Sequence, residues 1–146
     1  MKMEKYYSIN DLSLMSGLTT RTLRNYLKMG LLKGSKDDEG MWRFTAEEVD
    51  AFFQEPYVKD SVRIKYTSAV YDFLSNPSKK ENRTCIVLDI PCSPLDSNKI
   101  SQFFCKQMEE VEDVNFNFHY DKGTSRVILT GREDQVAKIM KNYYNK

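Results

Sequence analysis

Apolar residues recur at helical spacing in the first half of the chain and alternate with polar ones in parts of the second. Ile9, Leu12 and Met15 form one apolar stripe, opened by Ser8 as a helix cap with Asp11 three residues on as its reciprocal partner. Ser16-Gly17-Leu18 interrupts it, Gly17 suiting a tight turn. Thr19 then caps a second helix to about Met29, with Leu23, Tyr26 and Leu27 on one side and Gly30 as its stop. Residues 31–44 read as a small hairpin whose turn holds Asp37, Asp38, Glu39 and Gly40. Thr45 caps a helix over residues 46–54 that buries Val49, Phe52 and Phe53. Pro56 opens another, with Val58, Val62, Tyr66, Ala69, Val70, Phe73 and Leu74 at helical spacing to about Ser75.

A polar run with one proline, residues 76–83, follows and reads as the domain boundary. Residues 84–90 form an apolar strand, and Pro91 and Pro94 mark a loop. Ser97 is placed to cap a helix to about Val111, carrying Ile100, Phe103, Phe104, Met108 and Val111. Between 114 and 120 the alternation is strict, with Val114, Phe116, Phe118 and Tyr120 inward and Asn115, Asn117 and His119 outward. A turn at Asp121-Lys122-Gly123-Thr124 leads to a third strand, residues 126–131. The last helix, 133–144, packs through Val136, Ile139, Met140 and Tyr143.

The pattern predicts an α+β chain. Residues 1–55 form a winged helix-turn-helix, 56–76 a connecting helix suited to dimerisation, and 77–83 a linker. Residues 84–146 form a small strand-helix-strand-strand-helix domain, a ferredoxin-like fragment lacking its last strand, for dimerisation or for binding an effector or partner. Both of its helices fall on one face of the sheet. The other face, with Asn115, Asn117, His119, Arg126, Ile128 and Thr130, is left to dock the connecting helix, a second subunit or a small effector, in that order.

Composition narrows the function. Hydrophobic residues make up 40% and charged residues 29%, a balance typical of globular proteins. No apolar run approaches the length of a membrane span, and the start lacks a signal peptide's apolar core. Cys85, Cys92 and Cys105 are odd in number and unpaired in spacing, which fits core thiols in the cytoplasm. With one histidine, no Gly-rich phosphate loop and no nucleophile-base set, the chain offers no cofactor, metal site or catalytic constellation, so we expect no enzyme.

Net charge is only +1, yet charge is unevenly placed. No acid lies between Asp11 and Asp37, a stretch that holds Arg21, Arg24, Lys28, Lys33 and Lys36. Arg21, Arg24, Asn25 and Lys28 share the face of the second helix opposite Leu23 and Tyr26. An apolar back and a front of long donors is what a helix reading the major groove requires. On the hairpin the acidic tip suits phosphate poorly, so the strand residues Lys36, Trp42 and Arg43 are the candidates, Trp42 having a packing ring as its alternative role.

Tyr7-Ser8-Ile9 with Gly17-Leu18, then Arg21-Thr22-Leu23-Arg24-Asn25-Tyr26, then Gly30-Leu31-Leu32-Lys33 resembles the DNA-binding motif of the MerR family, in order and spacing. The resemblance covers about half the chain. It implies a second helix in the major groove, a wing on the phosphates and a dimer on double-stranded DNA, with contacts inherited by Thr20, Arg21, Arg24 and Tyr26. RNA polymerase and a small effector join the candidate partners. Three departures stand out. The family's Gly-Tyr-Arg wing is Gly40-Met41-Trp42-Arg43 here, and one step along a strand reverses the face. Gly34 replaces a common proline, and the connecting helix is shorter than the family's long dimerisation helix. Trp42-Arg43-Phe44-Thr45 is similar instead to excisionase-like winged helices. The reading is a MerR-like regulator on a palindromic promoter site. The alternatives are an excisionase-like DNA-bending protein and an interaction module that does not bind DNA.

Overall fold

The computed structural model describes residues 6–76 and 79–146, without the side chain of Tyr66. Pro77 and Ser78 of the expected linker lie outside the described residues, as do residues 1–5. The fold is α+β and divides into two compact units, Met1–Lys65 and Tyr66–Lys146, with the division falling inside one helix.

The N-terminal unit runs α1 (Ile9–Ser16), α2 (Thr20–Met29), β1 (Ser35–Lys36), β2 (Trp42–Arg43) and α3 (Ala46–Gln54), then enters α4 (Pro56–Ser75). Most of these helix boundaries follow from local side-chain and glycine chemistry. Ser8 and Asp11 form the reciprocal capping box, as do Thr45 and Glu48 on α3. Gly17 and Gly30 end α1 and α2 in the left-handed region, at φ 76° and 78°. Tyr7, Leu12, Met15, Leu23, Leu32, Phe44 and Phe52 are buried almost completely, so one core unites the helices and the hairpin. Val58 and Val62, from the first part of α4, are fully buried as well.

In the C-terminal unit β3 (Arg83–Pro91), α5 (Pro94–Met108), β4 (Val114–Asp121), β5 (Thr124–Arg132) and α6 (Glu133–Tyr144) follow α4. The strand order β3-β5-β4, antiparallel throughout, inserts β5 between the two strands that α5 connects. This is a split βαβ unit, the element shared with ferredoxin-like folds. Phe104 stacks on Phe116 and on Tyr143, and Asn142 bonds Gln107 at 2.8 Å, so α5 and α6 lie side by side on the Phe116 face.

Four expectations need correction here. Ser93, not Ser97, caps α5, because Pro94 is preorganised for a first helical position. Ser97 is buried inside the helix, its Oγ accepting from Ser125 Oγ at 2.8 Å. Pro91 belongs to β3, paired with Thr124, and α5 ends at Met108. The face opposite α5 and α6 is also less open than its polar lettering suggests: Asn117, Ile128 and Thr130 are buried.

Candidate nucleic-acid interface

The geometry of α2 begins in the turn before it. Ser16, fully buried, donates from Oγ to the Leu12 carbonyl at 2.6 Å and accepts from the Leu18 amide at 3.1 Å. Ser13 Oγ donates to the Leu18 carbonyl at 2.6 Å. These bonds satisfy the polar groups of a tight turn and fix the direction in which α2 leaves. Thr19 Oγ1 then accepts from the Thr22 amide at 3.1 Å as the N-cap. Leu23 and Tyr26 hold α2 from behind. The Tyr26 ring lies edge-on to Tyr57 and tilted against Phe52, at centroid separations of 6.0 and 5.9 Å.

With that back face anchored, Arg21, Arg24, Asn25 and Lys28 are exposed together, and Thr20 is half-buried at the start of the helix. Among the described residues none of Arg21, Arg24, Asn25 and Lys28 has a side-chain hydrogen bond or ion pair within the chain. The cations of the helix front are therefore left to an external anion. Tyr26 is different. It is 7% exposed, and its ring seats the helix.

The wing is a short hairpin in which Ser35 pairs with Arg43 and Lys36 with Trp42. Its acidic tip is partly satisfied within the turn, since Asp37 Oδ1 accepts from the amides of Glu39 and Met41, both at 2.9 Å. Asp38 and Glu39 remain exposed. Lys36 Nζ lies 5.1 Å from the Trp42 ring centroid, and Trp42 stacks on the buried Phe44. Trp42 thus packs, as its alternative role supposed, and carries a cation on its edge of the wing. Gly34 has a direct steric reason: a Cβ there would lie 2.5 Å from two Phe44 ring carbons and 2.9 Å from the Arg43 carbonyl.

Arg43 lies on the other side of the hairpin, its guanidinium 4.3 Å from the Tyr6 ring centroid. Tyr6 was absent from the sequence reading. The contact crosses to the segment before α1, where Tyr7 and Phe44 exchange backbone hydrogen bonds of 2.8 and 2.9 Å. Only the paired aromatics Tyr6-Tyr7 hinted at it.

The cysteines are free and differently placed. Cys85 stands on β3 opposite Thr130, where burial pushes its thiol up. Cys92 Sγ is 3.1 Å from Ser125 Oγ, and Cys105 is buried on α5. Among the described residues no helix is long and apolar enough to cross a membrane.

No curated protein and no solved structure matches the chain. One family model does: that of the MerR HTH family regulatory proteins, over residues 7–52. The match takes in α1, α2, the wing and most of α3, and leaves α4 and the C-terminal unit outside it. The N-terminal region of this chain is a MerR-family helix-turn-helix.

Proposed function

We propose that this protein is a sequence-specific DNA-binding transcriptional regulator that binds a palindromic promoter site as a dimer. The family match supports the regulator in general terms. The observation that carries the proposal is the front of α2: four long donors, exposed together, without an internal counter-ion, on a helix rigidly seated by Leu23 and Tyr26. Arg21, Arg24 and Asn25 are the candidates for base edges, because arginine forks match guanine and asparagine matches adenine. Thr20, Lys28, Lys36 and Arg43 flank them as backbone contacts, while Trp42 supports Lys36 and Tyr26 contributes by holding the helix in place.

The dimer is supported by α4. Val58 and Val62 on one side are fully buried, while Ile64 and Tyr71, seven residues apart on the other, are 63% and 68% exposed. A helix apolar on two sides requires a partner on each. A second copy supplies the missing one.

The test is fluorescence anisotropy with the DNA upstream of the protein's own coding sequence, across a salt series, for wild type, Arg21→Ala and Arg24→Ala. Each substitution costs about 1–3 kcal/mol if it removes a base contact, and affinity falls steeply with salt. A folded protein that binds neither this DNA nor a random-sequence pool refutes the proposal. A footprint confined to one palindrome, with a solution mass of two chains that Ile64→Glu halves, separates a discrete dimer from an array-forming DNA-bending protein.

A further inference from the structure

The wing carries a cation on each face, and the two are held differently. Lys36 lies over Trp42 on the side that continues through Phe44 into the core. Arg43 lies over Tyr6 on the side that faces away from it. Arg43 is half-buried, its Nε is buried with no acceptor, and among the described residues its side chain has no hydrogen bond or ion pair. A buried charged donor without an acceptor is unfavourable and rare in folded proteins. Here it is compensated by the ring beneath it, an electron-rich face that attracts the guanidinium and restricts its rotation.

We infer that Tyr6 is a positioning residue for DNA: it holds the Arg43 guanidinium flat on the outer face of the wing, where the fork receives a backbone phosphate. The inference rests on the DNA-binding reading and adds to it a residue outside the α2 face. The backbone fixes the pair. Reciprocal bonds between Tyr7 and Phe44 set the register, which places Tyr6 and Arg43 on one face of adjoining extended segments. Ser35, directly opposite Arg43 and exposed, sets a hydroxyl donor on the same face. A planar fork and a neighbouring hydroxyl match the oxygens of a phosphodiester, and neither carries base information. The displacement of arginine by one position along the wing strand thus does not remove the contact. It moves the contact to the other face, and Tyr6 supplies the support there.

The experiment compares duplex affinity and its salt slope for wild type, Arg43→Ala, Tyr6→Ala, Tyr6→Phe and the Tyr6→Ala/Arg43→Ala double variant, with a thermal melt of each. Arg43→Ala is expected to lower affinity about tenfold on all sequences and to reduce the salt slope by about one phosphate. Tyr6→Ala is expected to lose about two- to fivefold, the scale of an exposed cation–π contact. Tyr6→Phe keeps the ring and the wild-type affinity, and the double variant is no weaker than Arg43→Ala alone. Additive losses, or a Tyr6→Phe defect equal to that of Tyr6→Ala, overturn the positioning role. Unchanged binding by Tyr6→Ala and Arg43→Ala alongside a weakened Arg24→Ala overturns this inference and leaves the regulator standing. Failure of the wild type to bind any duplex overturns both.

Discussion

Gly34→Ala is a one-carbon change whose cost can be worked from the geometry. The added Cβ would sit 2.5 Å from Cδ1 and Cε1 of Phe44, where carbon atoms ordinarily approach to about 3.5–4.0 Å. The ring must therefore retreat by about 1 Å. It has little room, being fully buried and stacked on Trp42, with its backbone bonded on both sides to Tyr7. The Arg43 carbonyl, 2.9 Å from the same Cβ, belongs to the wing pairing and cannot yield without opening it. Overpacking of this kind costs about 1–3 kcal/mol. Trp42 is the single tryptophan and touches the site, so urea unfolding followed by its fluorescence reports on this neighbourhood directly. Gly30→Ala is the control, because at φ +78° it carries backbone strain of about 1–2 kcal/mol with nothing within 4 Å. The two glycines differ in what relieves them. Phe44→Leu removes ring atoms in the way of the new methyl, so combined with Gly34→Ala it should cost at least about 0.5 kcal/mol less than the sum of the single changes. Combined with Gly30→Ala it should simply add. A Gly34→Ala protein within about 0.3 kcal/mol of wild type, or strict additivity with Phe44→Leu, would show the reasoning to be wrong.

Gly131→Ala should destabilise the C-terminal unit by at least about 2 kcal/mol, because its Cβ would collide with the Asp113 carbonyl and press on Val114 across the β4–β5 pair; circular dichroism through a urea titration measures it. Thr45→Ala removes half of the α3 capping box and should cost about 1 kcal/mol in the Trp42-monitored transition. Acid sensitivity follows from two ion pairs. Arg126, bonded to both Asp89 carboxylate oxygens at 2.7 and 2.9 Å, holds that carboxyl below the ordinary aspartate range, and Arg83 at 2.9 Å does the same to Asp113. As pH falls the unfolded chain takes up these protons first, so the stability is present above about pH 4 and is lost below it, through the lowered folded values. Asp89→Asn should therefore be less stable than wild type at pH 7, with the gap closing as the pH drops below 4; a constant gap in urea titrations from pH 7 to 2.5 would contradict the assignment. Both aspartates are exposed, so added salt should shrink the effect.

Much of the architecture was legible because local chemistry decides it. Ser8 with Asp11, Thr19 and Thr45 with Glu48 satisfy the orphan amides of helix starts, and Gly17 and Gly30 accept the positive φ of helix ends. The division of α2 into an apolar back and a polar front is equally local, since 3.6 residues per turn assign each position to a side. The front of the candidate site, Arg21, Arg24, Asn25 and Lys28, was for that reason readable in the chain. Where two local rules competed, the choice went astray: Ser93 and Ser97 both suit a cap, and Pro94 decides between them by its fixed φ.

The sequence by itself determined where most of the helices start and stop and which side of them faces inward, because these depend on neighbours within a few residues. Only the tertiary structure decided what distant segments do to one another. Tyr6 reaches Arg43 because Tyr7, in the segment before α1, bonds to Phe44, and Gly34 must lack a side chain because the Phe44 ring occupies its space. Asn117 and Thr130 are polar yet buried in the sheet unit. These facts depend on contacts between residues far apart in the chain, and no periodicity encodes which distant partner a side chain will meet.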